Sequence, residues 1–195
     1  TEVAVISKPL VGIIPTGDEI VYPTADPKEG DILEFNSSIF SGMLREWGAE
    51  VKTYPIVKDK FELIRQAVET AVAECDMVIL NAGSSAGRED FSCQVIEEIG
   101  QVLYHGIAIR PGKPAILGAA GPVLGVPGYP VSGIIVIEQL LKPLIDYWNK
   151  CSSSEQPTAT AVLSSPLLSG LKYQEFVRAR MGYVDGRLIA SPLNR

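Results

Sequence analysis

Apolar positions along the chain change period several times, and each change marks an element. Val11 to Ile14 (VGII) is a β-rich apolar run that stops at Pro15 and enters the turn-forming Thr16-Gly17-Asp18-Glu19, which predicts a buried strand ending in a loop. After a spacer from Pro23 to Asp31, Ile39, Phe40, Met43, Leu44 and Trp47 recur at three- and four-residue spacing. That spacing predicts a helix with one inward stripe, capped by Asn36 and ended at Gly48. Val51 to Ile56 reads as a second strand, and Phe61, Ile64, Ala67, Val68, Ala71, Val72 and Cys75 trace a second amphipathic helix. Asp76 to Leu80 (DMVIL) is a third strand that empties into Asn81-Ala82-Gly83-Ser84-Ser85-Ala86-Gly87, followed by a helical pattern through Val95, Ile96 and Ile99. Shorter β-like runs lie at Ile107 to Ile109, Ala115 to Leu117 and Val123 to Val126. Pro130 then opens a long helix reaching Trp148, which Pro143 should kink or divide.

Strands alternating with helices in this way specify βαβ units, so residues 1–150 are expected to form a three-layer α/β/α domain, doubly wound around a mostly parallel sheet. The pattern breaks at Cys151 to Pro157. Beyond it the period becomes two, with Phe176, Arg178 and Arg180 on one face and Val177, Ala179 and Met181 on the other. Asp185-Gly186 is a hairpin signal before Leu188 and Ile189. Residues 157–195 therefore read as a partial β domain, an annex to the larger core.

Composition narrows the class. With 195 residues, 46% hydrophobic and 21% charged, the chain fits a folded globular protein and needs neither disulfides nor metals to build a core. Net charge is -6, from 17 Lys+Arg against 23 Asp+Glu, which argues against nucleic acid as a partner because phosphate neutralisation needs a concentrated basic surface. The three cysteines, Cys75, Cys93 and Cys151, are widely spaced without a C-x-x-C pair, so neither a disulfide framework nor a zinc site is expected and a cytoplasmic location fits. The richest apolar run, Val131 to Leu141, is interrupted by Ser132, Gly133, Glu138 and Gln139, so no membrane span is expected. A start at Thr1 with no signal-like segment reads as a piece of a longer protein.

Candidate chemistry clusters where strands end. Asn81 to Gly87 places two glycines around two serines between a strand and a helix start, a combination suited to an oxyanion or phosphate, or to a plain strand-helix turn. It is neither a dinucleotide fingerprint nor a P-loop. Asp18 and Glu19 follow the first strand, Asp59 the second and Asp90 the third. In a parallel sheet such loops gather at one carboxyl edge, where their oxygens would suit Mg²⁺; taken singly, each could be a cap or a turn residue. Arg110-Pro111-Gly112-Lys113-Pro114 puts two cations in a stiff loop that could hold a phosphate or another oxyanion. Gly125-Val126-Pro127-Gly128-Tyr129-Pro130 is rigid enough to form a binding wall. His105, the single histidine, shows no Ser or Cys constellation in the sequence, and Cys93 reads as a packing residue near a helix start.

Six of these motifs stand in an order that resembles the molybdopterin molybdenumtransferases, the MoeA and gephyrin E-domain family. They are Pro15-Thr16-Gly17-Asp18-Glu19, Asn36-Ser37 with its helix, Asp59, the loop from Asn81 to Asp90, Arg110 to Pro114, and Gly125 to Ser132. The resemblance covers that family's third domain, and Thr158 to Arg195, with Glu175-Phe176-Val177-Arg178, resembles the opening of its β-barrel fourth domain. It implies insertion of molybdenum from molybdate into the dithiolene of adenylated molybdopterin, with Mg²⁺ and release of AMP, in the cytoplasm and by a homodimer. By motif, Glu19, Asp59 and Asp90 would be the catalytic and metal-holding carboxylates. Thr16, Gly17, Asp18, Gly83, Ser84, Ser85 and Gly87 would contact the pterin substrate and its phosphate, Arg110 and Lys113 would meet molybdate or phosphate, and Pro127 and Pro130 would shape the wall. The loop departs from the Gly-Gly-Val-Ser-Val-Gly found in many members, and the family's first two domains do not lie in this sequence. The competing functions are a molybdopterin adenylyltransferase, a nucleotide pyrophosphatase of the competence-damage type, and a non-catalytic molybdopterin or molybdate binding module or sensor.

Overall fold

The computed structural model describes residues 2–23, 26–82, 91–119, 121–151, 157–170 and 172–193. The run predicted at Val11 to Ile14 lies within strand β1 (Leu10–Pro15), whose residues after Leu10 are all buried. A strand without polar alternation must be covered on both sides, and β1 is central. Two short strands follow, β2 (Ile20–Val21) and β3 (Ile32–Leu33), then helix α1 (Asn36–Glu46), β4 (Glu50–Thr53), α2 (Phe61–Glu74), β5 (Met77–Ala82), α3 (Phe91–Ile99), β6 (Gln101–His105), β7 (Ile109–Arg110), β8 (Ile116–Ala119) and β9 (Pro122–Pro127). The six-stranded main sheet runs β4-β1-β5-β9-β8-β6. Its β4, β1, β5 and β9 are parallel; at one side β8 pairs antiparallel with β9, and β6 antiparallel with β8.

Alternation along the central strands sends side chains into two separate cores. Val11, Ile13, Met77, Ile79, Leu124 and Val126 face α1 and the long C-terminal helix, meeting Phe40, Leu44, Val136, Ile137, Leu141 and Ile145. Ile14, Val78, Leu80 and Val123 face α2 and α3, meeting Ile64, Val68, Ala71, Val95 and Ile96. This is the expected three-layer α/β/α arrangement with a mostly parallel sheet. The long helix divides where proline foretold a break: α4 (Pro130–Val136) leads into a π-helical stretch at Ile137–Leu141 and then α5 (Lys142–Trp148). The Lys142 N–H reaches back to Ile137 O, the wider turn lying just before Pro143, which cannot donate. Among the described residues no helix is long and apolar enough to cross a membrane.

The C-terminal residues form a three-stranded sheet from β10 (Val162–Leu163), β12 (Ala179–Val184) and β13 (Arg187–Pro192), ordered β10-β13-β12. Val184 pairs Arg187 across the foretold Asp185-Gly186 turn, where both residues have positive φ, 48° and 73°. One short strand, β11 (Gln174–Glu175), leaves this sheet and pairs β7 instead. Phe176 follows it, outside β12, and packs against the α1-side core. The period-two reading had placed Phe176 on the face of a continuous strand with Arg178 and Arg180.

Candidate functional site

The parallel strands all finish at one edge, and that edge collects those predicted residues that lie among the described ones. β4, β1, β5 and β9 end at Thr53, Pro15, Ala82 and Pro127. β8 runs the other way, so the chain enters it at this same edge: Ile116 pairs Gly125 on one side and His105 on the other. Arg110, at the end of β7, and Lys113, in the turn after it, lead into that entry. The rim therefore presents, in order, the loops after β4, β1, β5 and β9 and then the Arg110 to Pro114 loop.

At the first end of the rim the loops carrying Asp18, Glu19 and Asp59 lie side by side. Thr16 bridges Val57, Gly17 N–H donates to Val57 O at 3.0 Å, and Val57 N–H donates to Pro15 O at 2.9 Å, so the two loops are stitched by backbone. Asp59 N–H then donates to Asp18 Oδ1 at 3.2 Å, and Lys58 Nζ donates to Asp18 O at 2.7 Å. The Asp59 carboxyl is held above the ordinary carboxylate range, first by partial burial and then by the charges of Glu19 and Asp18, with Lys58 opposing. Gly17 (φ 150°) has no room for a side chain: a Cβ there would sit 2.5 Å from Ile20 Cγ1. Asp59 does not cap α2; the capping position is Lys60.

The middle of the rim is a cleft of about 270 Å³ lined by Pro15, Thr16, Asn36, Asn81, Tyr129 and Pro130, among others. One wall comes from Gly128, Tyr129 and Pro130, with Pro130 opening α4, whereas Pro127, also expected in the wall, ends β9 and does not line the cleft. Its other wall comes from Ile20, Ile32 and Leu33 of the β2–β3 pair and from Phe35 just after it; the sequence reading assigned no element to β2 or β3, which flank the Pro23 to Asp31 spacer. Asn36 is not the cap of α1: Phe35 holds that position, and the Glu34 carboxylate accepts the Ser37 N–H at 2.9 Å. Asn36 is buried instead, donating from Nδ2 to Gly128 O at 2.8 Å and, at 3.4 Å, to Asn81 Oδ1. It ties the α1 start to two strand-end loops. Asn81 O in turn accepts the Thr16 N–H at 2.9 Å.

At the far end stand the cations. Arg110 lies with its guanidinium carbon 4.1 Å from the centroid of the Tyr173 ring, and Lys113 Nζ lies 5.8 Å from the same centroid. The main-sheet order puts the β8 end about 14 Å from β1, at roughly 4.8 Å per strand, so the acidic and basic ends flank the cleft rather than touch. His105 also has a neighbour that the sequence reading missed: Cys93 Sγ is 3.3 Å from its Nδ1, brought there by α3 packing beside β6.

Gly83, Ser84, Ser85, Gly87 and Asp90 lie outside the described residues. Among the described residues no three His, Cys, Asp or Glu side chains group closely enough to hold a metal ion. Asp18, Glu19 and Asp59 nonetheless supply hard oxygen donors of the kind Mg²⁺ takes, and the Asp59 pKa is raised first by burial and then by the charges of Glu19 and Asp18.

Residues 12–147 match the family model described as "Probable molybdopterin binding domain". A molybdopterin molybdenumtransferase of Bacillus subtilis is 32% identical over 195 residues, covering 98% of this chain and 45% of the relative. Two solved MoeA proteins of molybdopterin biosynthesis from Pyrococcus horikoshii superpose with TM-scores of 0.82 and 0.75 at 32% and 26% identity. Each alignment covers 96% of this chain, and 46% and 45% of those chains. The chain thus spans less than half the length of these relatives. The match takes in the central strands and every described segment of the rim up to α5, and by it the chain belongs to the molybdopterin-binding domain family of molybdenum cofactor biosynthesis.

Proposed function

We propose that this chain is the molybdopterin-binding part of a molybdopterin molybdenumtransferase, which inserts molybdenum from molybdate into the dithiolene of adenylated molybdopterin and releases AMP. The observation that carries the proposal is the charge order along one rim: carboxylates at the β4–β1 end, an apolar-walled cleft beside Asn36 and Asn81, and Arg110 with Lys113 at the β8 end. A long substrate with a flat heterocycle and separate anionic groups is complementary to such an order. Walls of proline and aromatic side chains suit the heterocycle, and fixed cations suit an oxyanion.

Asp18, Glu19 and Asp59, with Asp90, would hold Mg²⁺, which when bound supplies positive charge to phosphate oxygens. Asn36 fixes the separation of the Asn81 and Gly128 loops and so keeps the cleft open to one width. Arg110 and Lys113 orient molybdate or phosphate at the opposite end. The residues thus act chiefly by approximation, holding a metal oxyanion near the dithiolene that receives the metal. A homodimer in the cytoplasm is part of the same proposal, since relatives twice this length carry further segments that could complete the crevice.

Calorimetry with adenylated molybdopterin, followed by an AMP-release assay with molybdate, tests the reading. Saturable binding that tightens with Mg²⁺ is expected, with release of AMP by a parent chain of full length. Absence of binding contradicts it, and consumption of ATP with plain molybdopterin would assign the chain to adenylyl transfer instead.

A further inference from the structure

Arg110 ends strand β7 and Lys113 lies in the turn after it; both are exposed cations, and long exposed side chains hold an anion weakly because they must first be ordered. Here they are ordered by a residue some 60 positions later in the chain. β11 lies alongside β7, with Gln174 N–H donating to Ala108 O at 2.8 Å and Phe176 N–H donating to Arg110 O at 2.7 Å. Phe176 anchors this strap in the α1-side core, and at the strap's other end the Tyr173 ring lies against the two cations. Gly112 fixes the loop from beneath: with φ of 110°, a Cβ there would come within 2.8 Å of Val136 Cγ2. The two charges are thereby held in a fixed pose by an aromatic face on one side and the packed helix α4 on the other.

From this geometry we infer that Tyr173 is a positioning residue, a ring on which Arg110 and Lys113 are pre-arranged as a receptor for a tetrahedral oxyanion. The inference rests on the reading above, in which those two cations meet molybdate or phosphate, and it adds the C-terminal strap to the site. A guanidinium held against a ring face gives up less freedom when the anion arrives. The strap itself is secured by backbone pairing and by Phe176, so removing the ring leaves the attachment intact.

The electrostatics supply a signature that a merely structural ring would lack. Lys113, followed by Arg110, draws the Tyr173 phenol below its ordinary value of 10.0. These are the charged groups against the ring; Lys172 and Glu175 flank it along the chain. Below its pKa the phenol is neutral and the cations are fully available. As pH rises through the lowered pKa a phenolate forms, neutralises part of the receptor and repels a dianion. Molybdate carries no titration of its own in that range, so its affinity should drop before pH 10.0 is reached.

The test is binding of inorganic molybdate and inorganic phosphate to the 195-residue chain, measured across alkaline pH for the wild type, Tyr173→Phe, Tyr173→Ala and the Arg110→Ala/Lys113→Ala double variant, with thermal unfolding of each. Tyr173→Ala is expected to weaken both anions about tenfold with little change in unfolding temperature, while Tyr173→Phe, which keeps the ring, loses about twofold and shifts the alkaline drop in affinity upward. If the wild type binds neither anion, or binding survives the double variant, the oxyanion reading falls and this inference with it. If the double variant abolishes binding but Tyr173→Ala binds as wild type, or the alkaline drop is identical in Tyr173→Phe, the positioning role alone is overturned.

Discussion

The two ends of the rim are built by different means. At the acidic end Asp18, Glu19 and Asp59 are brought together by neighbouring parallel strands: β1 and β4 pair, their loops are sewn by Thr16, Gly17 and Val57, and the loops carrying the carboxylates lie side by side as a consequence of sheet topology. At the basic end Arg110, at the end of β7, and Lys113, in the turn after it, sit outside the parallel part of the sheet and are held by a strap from the C-terminal region. The first end is intrinsic to the α/β unit. The second depends on a segment beyond it, so one rim can be altered from either side independently.

The sharpest way to separate the ends is to remove the cations. Arg110→Ala/Lys113→Ala should weaken molybdate about 100-fold, about 2.7 kcal/mol for two charge-assisted contacts, and leave Mg²⁺ affinity as it was. Isothermal titration of each ion reads both, and parallel losses would mean that the ends are one site. Backbone substitution comes next. Gly17→Ala and Gly112→Ala each add a Cβ at positive φ against a packed neighbour, Ile20 and Val136 respectively, and each should destabilise by about 2 kcal/mol in chemical denaturation. The comparison is sharper in binding: Gly17→Ala should impair Mg²⁺ alone and Gly112→Ala molybdate alone.

Asp59→Asn gives the smallest effect and an instructive sign. Because the folded protein raises the Asp59 pKa, the carboxyl holds its proton more tightly folded than unfolded. Its contribution to stability is therefore present at low pH and is lost as pH rises through the raised value. Asp59→Asn should then slightly raise the unfolding temperature of the metal-free protein at neutral pH while weakening Mg²⁺ roughly fivefold, about 1 kcal/mol. A loss of stability together with unchanged Mg²⁺ affinity would make Asp59 a structural residue.

The sequence displays the acidic end more plainly than the basic one for the same reason. Continuous apolar runs such as Val11 to Ile14 and Met77 to Leu80 are buried central strands, and once their order is known the residues after them must share an edge. β6 was missed although Val102 to Tyr104 is a short apolar run; the strand lies at the sheet edge with most of its residues exposed. Asn36 was misread because its residue type suits a cap, whereas its partners, Asn81 and Gly128, lie 45 and 92 positions away. The β2–β3 flap, the Cys93–His105 contact and the Tyr173 stack are set by pairings of two-residue strands or by packing between elements, which leave no periodic trace. The phosphate-type loop, Gly83 to Gly87, lies outside the described residues, and its role stays a proposal.

Backbone amide shifts of the isotopically labelled chain, followed while adenylated molybdopterin is added, test the central claim most directly. Gly17, Asn36, Asn81, Gly112 and Tyr129 should all move with one shared binding constant, because a single elongated ligand spans them. Shifts confined to the opposite edge, at Ala49, Asp76 and Gly121, or to the β12–β13 hairpin, would contradict it.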